Sequence, residues 1–316
     1  MHDEFDKIAW LKARFELAEP AEGLVVGIGD DAAVVDFGSP PTVVTVDTQV
    51  EGVHFRRSML SPQSLGARAM IAAVSDVIAM AATPLGSVVA LTLPGDYPDA
   101  EFRSLIDGLA DAARLPGAQV IGGNLSRGSA LSVTITAFGR AVTEPVTRRG
   151  ARPGDTVYVT GSLGAAALGF RILDAGRSEL PNAERFLDRW RMPPVHVGLV
   201  AKLAGIATAA IDISDGLLQD AGHLCRASGV GATLRAEALP APPGFVETCV
   251  ELDIDPLELR LTGGEDYEIL FTAPRSDAAR SIATEIGVVT EGSAVRVLDR
   301  DGAELSVETT GFRHFS

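Results

Sequence analysis

Apolar residues recur at helical spacing near the start of the chain, at Phe5, Ile8, Leu11 and Phe15, and predict an amphipathic helix over 3–17. The period then changes. Short apolar runs at 24–28, 32–37 and 42–48, rich in β-branched residues, predict strands. Ser61-Pro62 reads as a helix start, with a capping hydroxyl followed by a proline that needs no amide partner in the first turn. The helix carries Ala69 to Ala82 and stops at Thr83-Pro84. A strand over 86–93, a helix over 98–114 and strands at 118–122 and 131–140 complete the first half.

Thr143 to Asp155 mixes proline, glycine and arginine with no apolar period, so a domain boundary is expected there, giving domains 1–146 and 147–316. Strand 156–159 then leads through Gly161-Ser162-Leu163-Gly164 into a helix, and a strand at 207–213 feeds a helix beginning near Asp215. Tyr267 to Thr272 forms another strand, followed by a helix near 276–286 and terminal strands. Both halves read as α/β, without a short repeat.

Gly27-Ile28-Gly29-Asp30-Asp31-Ala32 sets two adjacent carboxylates on a tight corner between the first two strands. Such a pair repels phosphate unless a cation lies between them, so the corner reads first as a metal site. A dinucleotide fingerprint is the tempting alternative, since Gly27, Gly29 and Ala32 have its spacing and Glu51 lies near the distance of a ribose-binding acid. That motif needs a helix opening at its last small residue. Here Ala32 to Phe37 continue as a strand into Gly38-Ser39-Pro40-Pro41, and two acids occupy the phosphate position. A ligand-free aspartate turn is the plainer alternative, and only acids elsewhere in the chain decide against it.

Composition narrows the class. At 316 residues the chain is long for one core. Apolar content of 46% with 22% charged residues is ordinary for a globular protein. No run reaches the ~18 uninterrupted apolar residues of a membrane span. Met1 to Asp6 lack a basic, apolar leader, and Cys225 and Cys249 give neither a disulfide framework nor zinc spacing, so a cytoplasmic location is expected. A net charge of −15 argues against nucleic acid, because no basic stripe displaces counterions. Lys7, Lys12 and Lys202 are the three lysines and none follows a glycine-rich loop, which excludes a Walker-type phosphate clamp. Metal ions, arginines and backbone amides must hold any bound nucleotide.

Several further carboxylates interrupt apolar segments. Asp47 closes the strand that starts at Thr42, Asp76 breaks the helical run from Met70 to Met80, and Asp212 and Asp215 bracket a strand-to-helix junction. An unpaired carboxylate in an apolar helix is disfavoured, so Asp76 needs a partner. Taken singly, each acid has a structural reading: Asp47 as a turn cap, Asp76 paired with Arg68, Asp215 as a helix start. Together with the Asp30-Asp31 corner they point to a shared site, and all-oxygen ligands without clustered His or Cys favour Mg2+.

Gly122-Gly123-Asn124-Leu125-Ser126-Arg127-Gly128 reads as a glycine-rich loop between strands, open to close ligand approach, with a plain hairpin loop as alternative. Arg148, Arg149 and Arg152 offer phosphate-binding cations in place of lysine, although Arg149 and Arg152 read better as solvated linker. Gly263-Gly264-Glu265-Asp266-Tyr267-Glu268 puts acids beside glycines at the head of a strand, suited to an amine-bearing ligand. His54 lies in the loop after the Asp47 strand, close enough to the acids to be a site residue.

In this order these segments resemble the thiamine-monophosphate kinase family, in the superfamily of aminoimidazole ribonucleotide synthetase and selenophosphate synthetase. The resemblance runs over Gly27–Val35, Thr45–Phe55, Ala73–Pro84, Gly122–Gly128, Thr147–Gly154, Asp212–Asp220, Leu261–Thr272 and the Gly311-Phe312-Arg313-His314-Phe315 ending. Asp212-Ile213-Ser214-Asp215-Gly216-Leu217 with Gly263-Gly264-Glu265-Asp266-Tyr267 is its most specific part. It implies a two-domain aminoimidazole ribonucleotide synthetase-like α/β (α+β) fold. The N-terminal mixed sheet would pair across a homodimer into a barrel, beside a C-terminal α/β domain.

By similarity, Asp30, Thr45, Val46, Asp47, Asp76, Asn124, Asp212 and Asp215 would ligate several Mg2+ ions, with Asp47 and Asp212 central to catalysis. Gly123, Asn124, Arg148 and Ser214 would contact ATP, and His54, Glu265 and Phe312 would line the thiamine phosphate pocket. K+ is a further candidate cation. Two departures stand out: Asn124 stands where most members carry Asp, and Val46 where a hydroxyl is usual. The implied reaction is in-line phosphorylation of thiamine monophosphate by ATP. The alternatives are another ATP-dependent superfamily enzyme or a non-catalytic nucleotide or thiamine-phosphate binder. Selenophosphate synthesis fits poorly, since no cysteine precedes Cys225.

Overall fold

A computed structural model describes residues 24–26, 30–38, 40–307 and 311. The helix expected over 3–17, Gly27 to Gly29, and Phe312 with the rest of the ending lie outside the described residues. The first lobe is built on one sheet: β1 (Leu24–Val26), β2 (Ala33–Val35), β3 (Thr42–Val50), β4 (Ala82–Leu93), β5 (Val120–Arg127) and β6 (Ser132–Ala141). Its order is β1-β2-β3-β6-β4-β5, antiparallel except for the β4/β5 pair. Helices α1 (Pro62–Ala79) and α2 (Asp99–Arg114) join the lobe, and α1 packs on β3, β4 and β6.

The second lobe contains β7 (Thr156–Val159), α3 (Ala165–Asp174), α4 (Ala183–Arg191), α5 (Val200–Ile206), β8 (Ala209–Asp212), α6 (Leu217–Ser228) and β9 (Gly231–Arg235). It continues with α7 (Phe245–Glu251), α8 (Pro256–Thr262), β10 (Ile269–Ala273), α9 (Asp277–Arg280), β11 (Thr284–Thr290) and β12 (Val295–Leu298). Its sheet runs β12-β9-β11-β7-β10-β8, with β12/β9 the parallel pair. Helix α6 contacts β8, β9, β10 and β12.

The start of α1 follows the sequence reading: the Ser61 hydroxyl accepts the Ser64 amide and Pro62 occupies the first turn. Its end comes earlier than expected. Ala81 takes a left-handed φ of 54°, which turns the chain out of the helix and starts β4 at Ala82. Gly122 to Arg127 form strand, not loop, as the sheet's outer strand; parallel pairing with β4 prevails over the glycines. The helix expected near 276–286 is one turn, α9. Beyond it Val288, Val289 and Thr290 pair as part of β11, where β-branched side chains pack well.

Two glycines let α1 and α2 touch backbone to backbone. A Cβ on Gly66 would stand 2.1 Å from the Leu105 carbonyl oxygen, and one on Gly108 would stand 1.9 Å from that of Gln63. The apolar core continues beyond the first lobe: Met70, Val74 and Ile78 of α1 belong to one buried cluster with Tyr158, Trp190 and Phe271.

Gly108→Ala should therefore lower stability by about 1–3 kcal/mol through overpacking. Gly117→Ala at a turn with φ 80° but no close backbone neighbour tests backbone strain by itself. Denaturant unfolding of both variants measures the difference, and equal losses would contradict the packing account.

Candidate active site

Three chain segments deliver acids to one place. The Asp31 corner precedes β2, Asp76 sits near the end of α1, and Asp212 ends β8. One carboxylate oxygen from each lies within 4.8 Å of the others. Asp76 accepts the Thr45 hydroxyl at 2.7 Å, and the same hydroxyl reaches the Asp31 carbonyl at 3.3 Å. Burial raises all three carboxyl groups above their ordinary value, and each also feels neighbouring acids. Asp76 is pushed well up, and Asp212 is pushed up to about 6, with Asp47 and Asp215 adding to the effect of burial.

Arg148 gives partial relief. Its Nε donates to Asp31 Oδ1 at 2.6 Å, Nη2 pairs with the same oxygen, and its backbone amide lies 3.2 and 3.1 Å from the two oxygens of Asp30. Burial works against the guanidinium charge, yet the acids hold its pKa above the ordinary value. Asp31 Oδ2 remains buried without a hydrogen-bond partner. An acceptor-only oxygen beside two more carboxylates suits a hard cation. Asp31 thus completes the trio, while Asp30 accepts backbone amides; the residue pattern had marked both acids as a metal corner, and the family resemblance named Asp30.

A cavity of about 630 Å3 opens beside the acids. Asp47, Asp76, Asp212, Ser214 and Asp215 line one side, and Phe170, Ala167 and Leu259 give another side apolar character. Val53, His54, Arg171, Glu265 and Gly311 contribute as well. The His54 ring nitrogen Nδ1 accepts the Val50 amide, fixing the ring in the loop after β3. The Asp215 carboxylate accepts Gln219 Nε2 at 2.8 Å, and its backbone amide donates to buried Asp220. Val46 also lines the cavity, and because its side chain carries no ligand atom, its peptide group is what it can offer an ion. Arg149 and Arg152 are exposed.

Gly123 and Asn124 do not line this cavity. Asn124 sits opposite Ala90, which pairs with Thr134 and so with Thr48, placing it on the sheet face of Thr48. The alternating Thr45 and Asp47 face the other way. Three strand spacings also separate β5 from β3, about 14 Å. Gly123 has a packing reason of its own, since a Cβ there would meet the Val89 carbonyl oxygen at 1.9 Å.

The Gly263–Glu268 segment joins α8 to β10 in an unusual conformation. Glu265 and Tyr267 have left-handed φ values of 68° and 49°, which cost roughly 1–3 kcal/mol each. Backbone bonds from Glu265 to the Ser214 carbonyl and from Tyr267 to the Ile213 carbonyl tie the segment to the Asp212 turn. Asp266 accepts the amides of Gly164 and Ala166, and burial pushes it up to about 7 despite them. The Glu265 side chain meets Arg68 and Trp190, partners on α1 and α4 that the sequence pattern did not identify. Arg68 had drawn notice only as a partner for Asp76.

Comparison with known proteins follows the same division of the chain. Residues 29–141 match the family model "AIR synthase related protein, N-terminal domain", and residues 152–300 match "AIR synthase related protein, C-terminal domain". The thiamine-monophosphate kinase of Aquifex aeolicus is 36% identical, covering 91% of this chain and 92% of its own. That of Escherichia coli K12 is 34% identical, with 92% of each chain covered. A solved structure described as AaThiL complexed with AMPPCP and TMP superposes with a TM-score of 0.90 at 35% identity, covering 99% of this chain and 97% of the other. The hydrogenase maturation protein HypE of E. coli, 17% identical with a TM-score of 0.69, shares the fold.

Raised carboxyl values give a signed expectation. The folded protein binds these protons more tightly than the unfolded chain, so the group's stabilisation is complete below about pH 4 and is lost as pH rises through about 6 for Asp212. Asp31, pushed up to about 8 by burial and by neighbouring acids, extends the loss, so between pH 6 and 8 the metal-free protein should melt at progressively lower temperature. Saturating Mg2+ should raise the melting temperature by about 5–10 °C at pH 8 and by less at pH 6. Thermal scans with and without EDTA measure this; an equal Mg2+ effect at both pH values contradicts it.

Proposed function

This chain belongs to the thiamine-monophosphate kinase family of AIR synthase related proteins, and on that premise we propose that it converts ATP and thiamine monophosphate to ADP and thiamine diphosphate. The observation that carries the reading is the convergence of acids beside one cavity, which Asp76 and Asp212 line together with Phe170, Leu259 and Glu265. AMPPCP, an ATP analogue, and TMP in the solved relative support the same substrate pair.

The acceptor oxygen belongs to a phosphate whose second pKa is about 6, so near neutral pH it is largely ionised and needs no general base. The difficulty is bringing two anions together. Several Mg2+ ions would supply the charge that offsets this repulsion and favours an in-line displacement. Asp30, Asp47, Asp76, Asp212 and Asp215, with the Thr45 hydroxyl and the Val46 peptide, would hold them; Asp31 joins this set on its position. Arg148 and Ser214 would contact ATP, while His54, Glu265 and Phe312 would receive thiamine monophosphate. A cytoplasmic setting and a division into domains 1–146 and 147–316 fit this reading, with K+ a candidate monovalent partner.

Gly123 and Asn124 enter the scheme through a second copy. Val46, Val88, Val120, Ile121 and Leu125 are exposed apolar residues, and every residue of β5 is exposed. An outer strand of this kind is a template for pairing. A homodimer that closes the two first-lobe sheets into a barrel would cover these residues and carry Asn124 towards the partner's acids.

Asp47→Asn and Asp212→Asn should each lower kcat at least about hundredfold with the fold retained. Product analysis after mixing protein, MgATP and thiamine monophosphate is the direct check. Ligand uptake without ADP release would identify a binder instead, and wild-type rates in both variants would remove the assignment. Val88→Glu, on the sheet face of Val46 and Asn124, should shift sedimentation from dimer to monomer; an unchanged dimer would reject the barrel.

A further inference from the structure

Glu265 is fixed by a closed set of contacts that begins in the other lobe. Arg68 is fully buried, and its Nη2 forms an ion pair with the Glu265 carboxylate. Its Nη1 donates to the Trp190 carbonyl at 2.9 Å, and the guanidinium stands 5.0 Å from the centre of the Trp190 ring. Trp190 closes the triangle: its indole Nε1 donates to Glu265 Oε2 at 3.1 Å. Trp190 is itself 1% exposed and packs at 5.9 Å against Phe170, which lines the cavity. The preceding residue on α4, Arg189, donates to Glu268 at 2.5 Å, so one helix grips the strained segment at two points.

The anchor and the acids share one rod. Arg68, Ala72 and Asp76 follow at four-residue spacing along α1, and Ala72 and Asp76 both line the cavity. Eight residues of helix span about 12 Å. Helix α1 therefore sets the distance between the cation-binding acids and the support of Glu265. A helix could be held to the second lobe by apolar contacts alone. A fully buried guanidinium aimed at a carboxylate that is one-third exposed to the cavity does something more specific.

We propose that Arg68 is a positioning residue which, together with Trp190, aims Glu265 at the amine-bearing ring of the acceptor while α1 keeps that ring at a fixed reach from the acids. The inference rests on the thiamine monophosphate reading above. Arg68 touches neither substrate. Glu265 receives the ring amine, and the planar two-nitrogen fork of Arg68 holds both Glu265 and the Trp190 carbonyl, a task a point charge performs less well.

Steady-state kinetics with each substrate varied separately tests this, alongside thermal unfolding and calorimetric titration of thiamine monophosphate. Arg68→Met should raise the KM for thiamine monophosphate about tenfold or more, and Trp190→Phe, which keeps the ring but removes the indole donor, by roughly three- to tenfold. In both, kcat and the KM for ATP should stay within about twofold. Arg68→Lys should recover part of the loss. The thiazole phosphate fragment, which lacks the amine-bearing ring, should bind wild type and Trp190→Phe equally. If Arg68→Met fails to fold, Trp190→Phe and Arg68→Lys carry the test. Unchanged KM for thiamine monophosphate in these variants, or parallel losses for both substrates, overturns the positioning role while leaving wild-type turnover intact. Wild-type protein that neither binds nor phosphorylates thiamine monophosphate overturns the functional reading, and the positioning role with it.

Discussion

Like charges that the chain itself brings together are the constraint on which the rest of this molecule depends. Asp31, Asp76 and Asp212 come from three distant segments and meet within 4.8 Å, Asp31 and Asp212 buried and Asp76 half-buried at the cavity wall. At about 4 Å and an effective dielectric near 20, two such charges repel by about 4 kcal/mol. Arg148 neutralises part of this at Asp31 and leaves one oxygen of that carboxylate unpaired. Protonation can relieve the remainder, as the raised pKa values reflect, and so can a divalent ion. On the proposed function, a divalent ion would serve both the cluster and the two phosphorylated substrates.

The folding of the chain around that cluster is costly and well supported. Glycines at positions 66 and 108 bring α1 and α2 into backbone contact, and α1 carries Asp76 to the base of the cavity. In the second lobe, left-handed Glu265 and Tyr267 are held by ladder bonds to Ile213 and Ser214. Burial lifts the Asp266 carboxyl, yet the same group fastens the start of α3.

Much of this was legible in the sequence. Ser61-Pro62 announced α1, and acids interrupting apolar runs pointed to convergence. The Asp212 and Gly263 segments identified the family. What stayed hidden has identifiable causes. Glycines at 122 and 123 suggested a loop because pairing with β4 is a long-range contact with no local signature. Asp255-Pro256 is a capped helix start whose carboxylate accepts two amides, a signal present in the sequence but passed over in favour of the neighbouring glycines. Arg68 gave no sign of its role, since its partners lie 122 and 197 positions away along the chain.

One consequence follows from the buried cluster that joins Met70 and Ile78 to Tyr158 and Phe271. Parting the lobes would open that oil-filled seam to water, at about 25 cal/mol for each square ångström of apolar surface laid bare. That cost opposes a clamshell opening of the two lobes. On the proposed function, nucleotide and vitamin would then enter and leave through movement of side chains and loops at the mouth of the pocket.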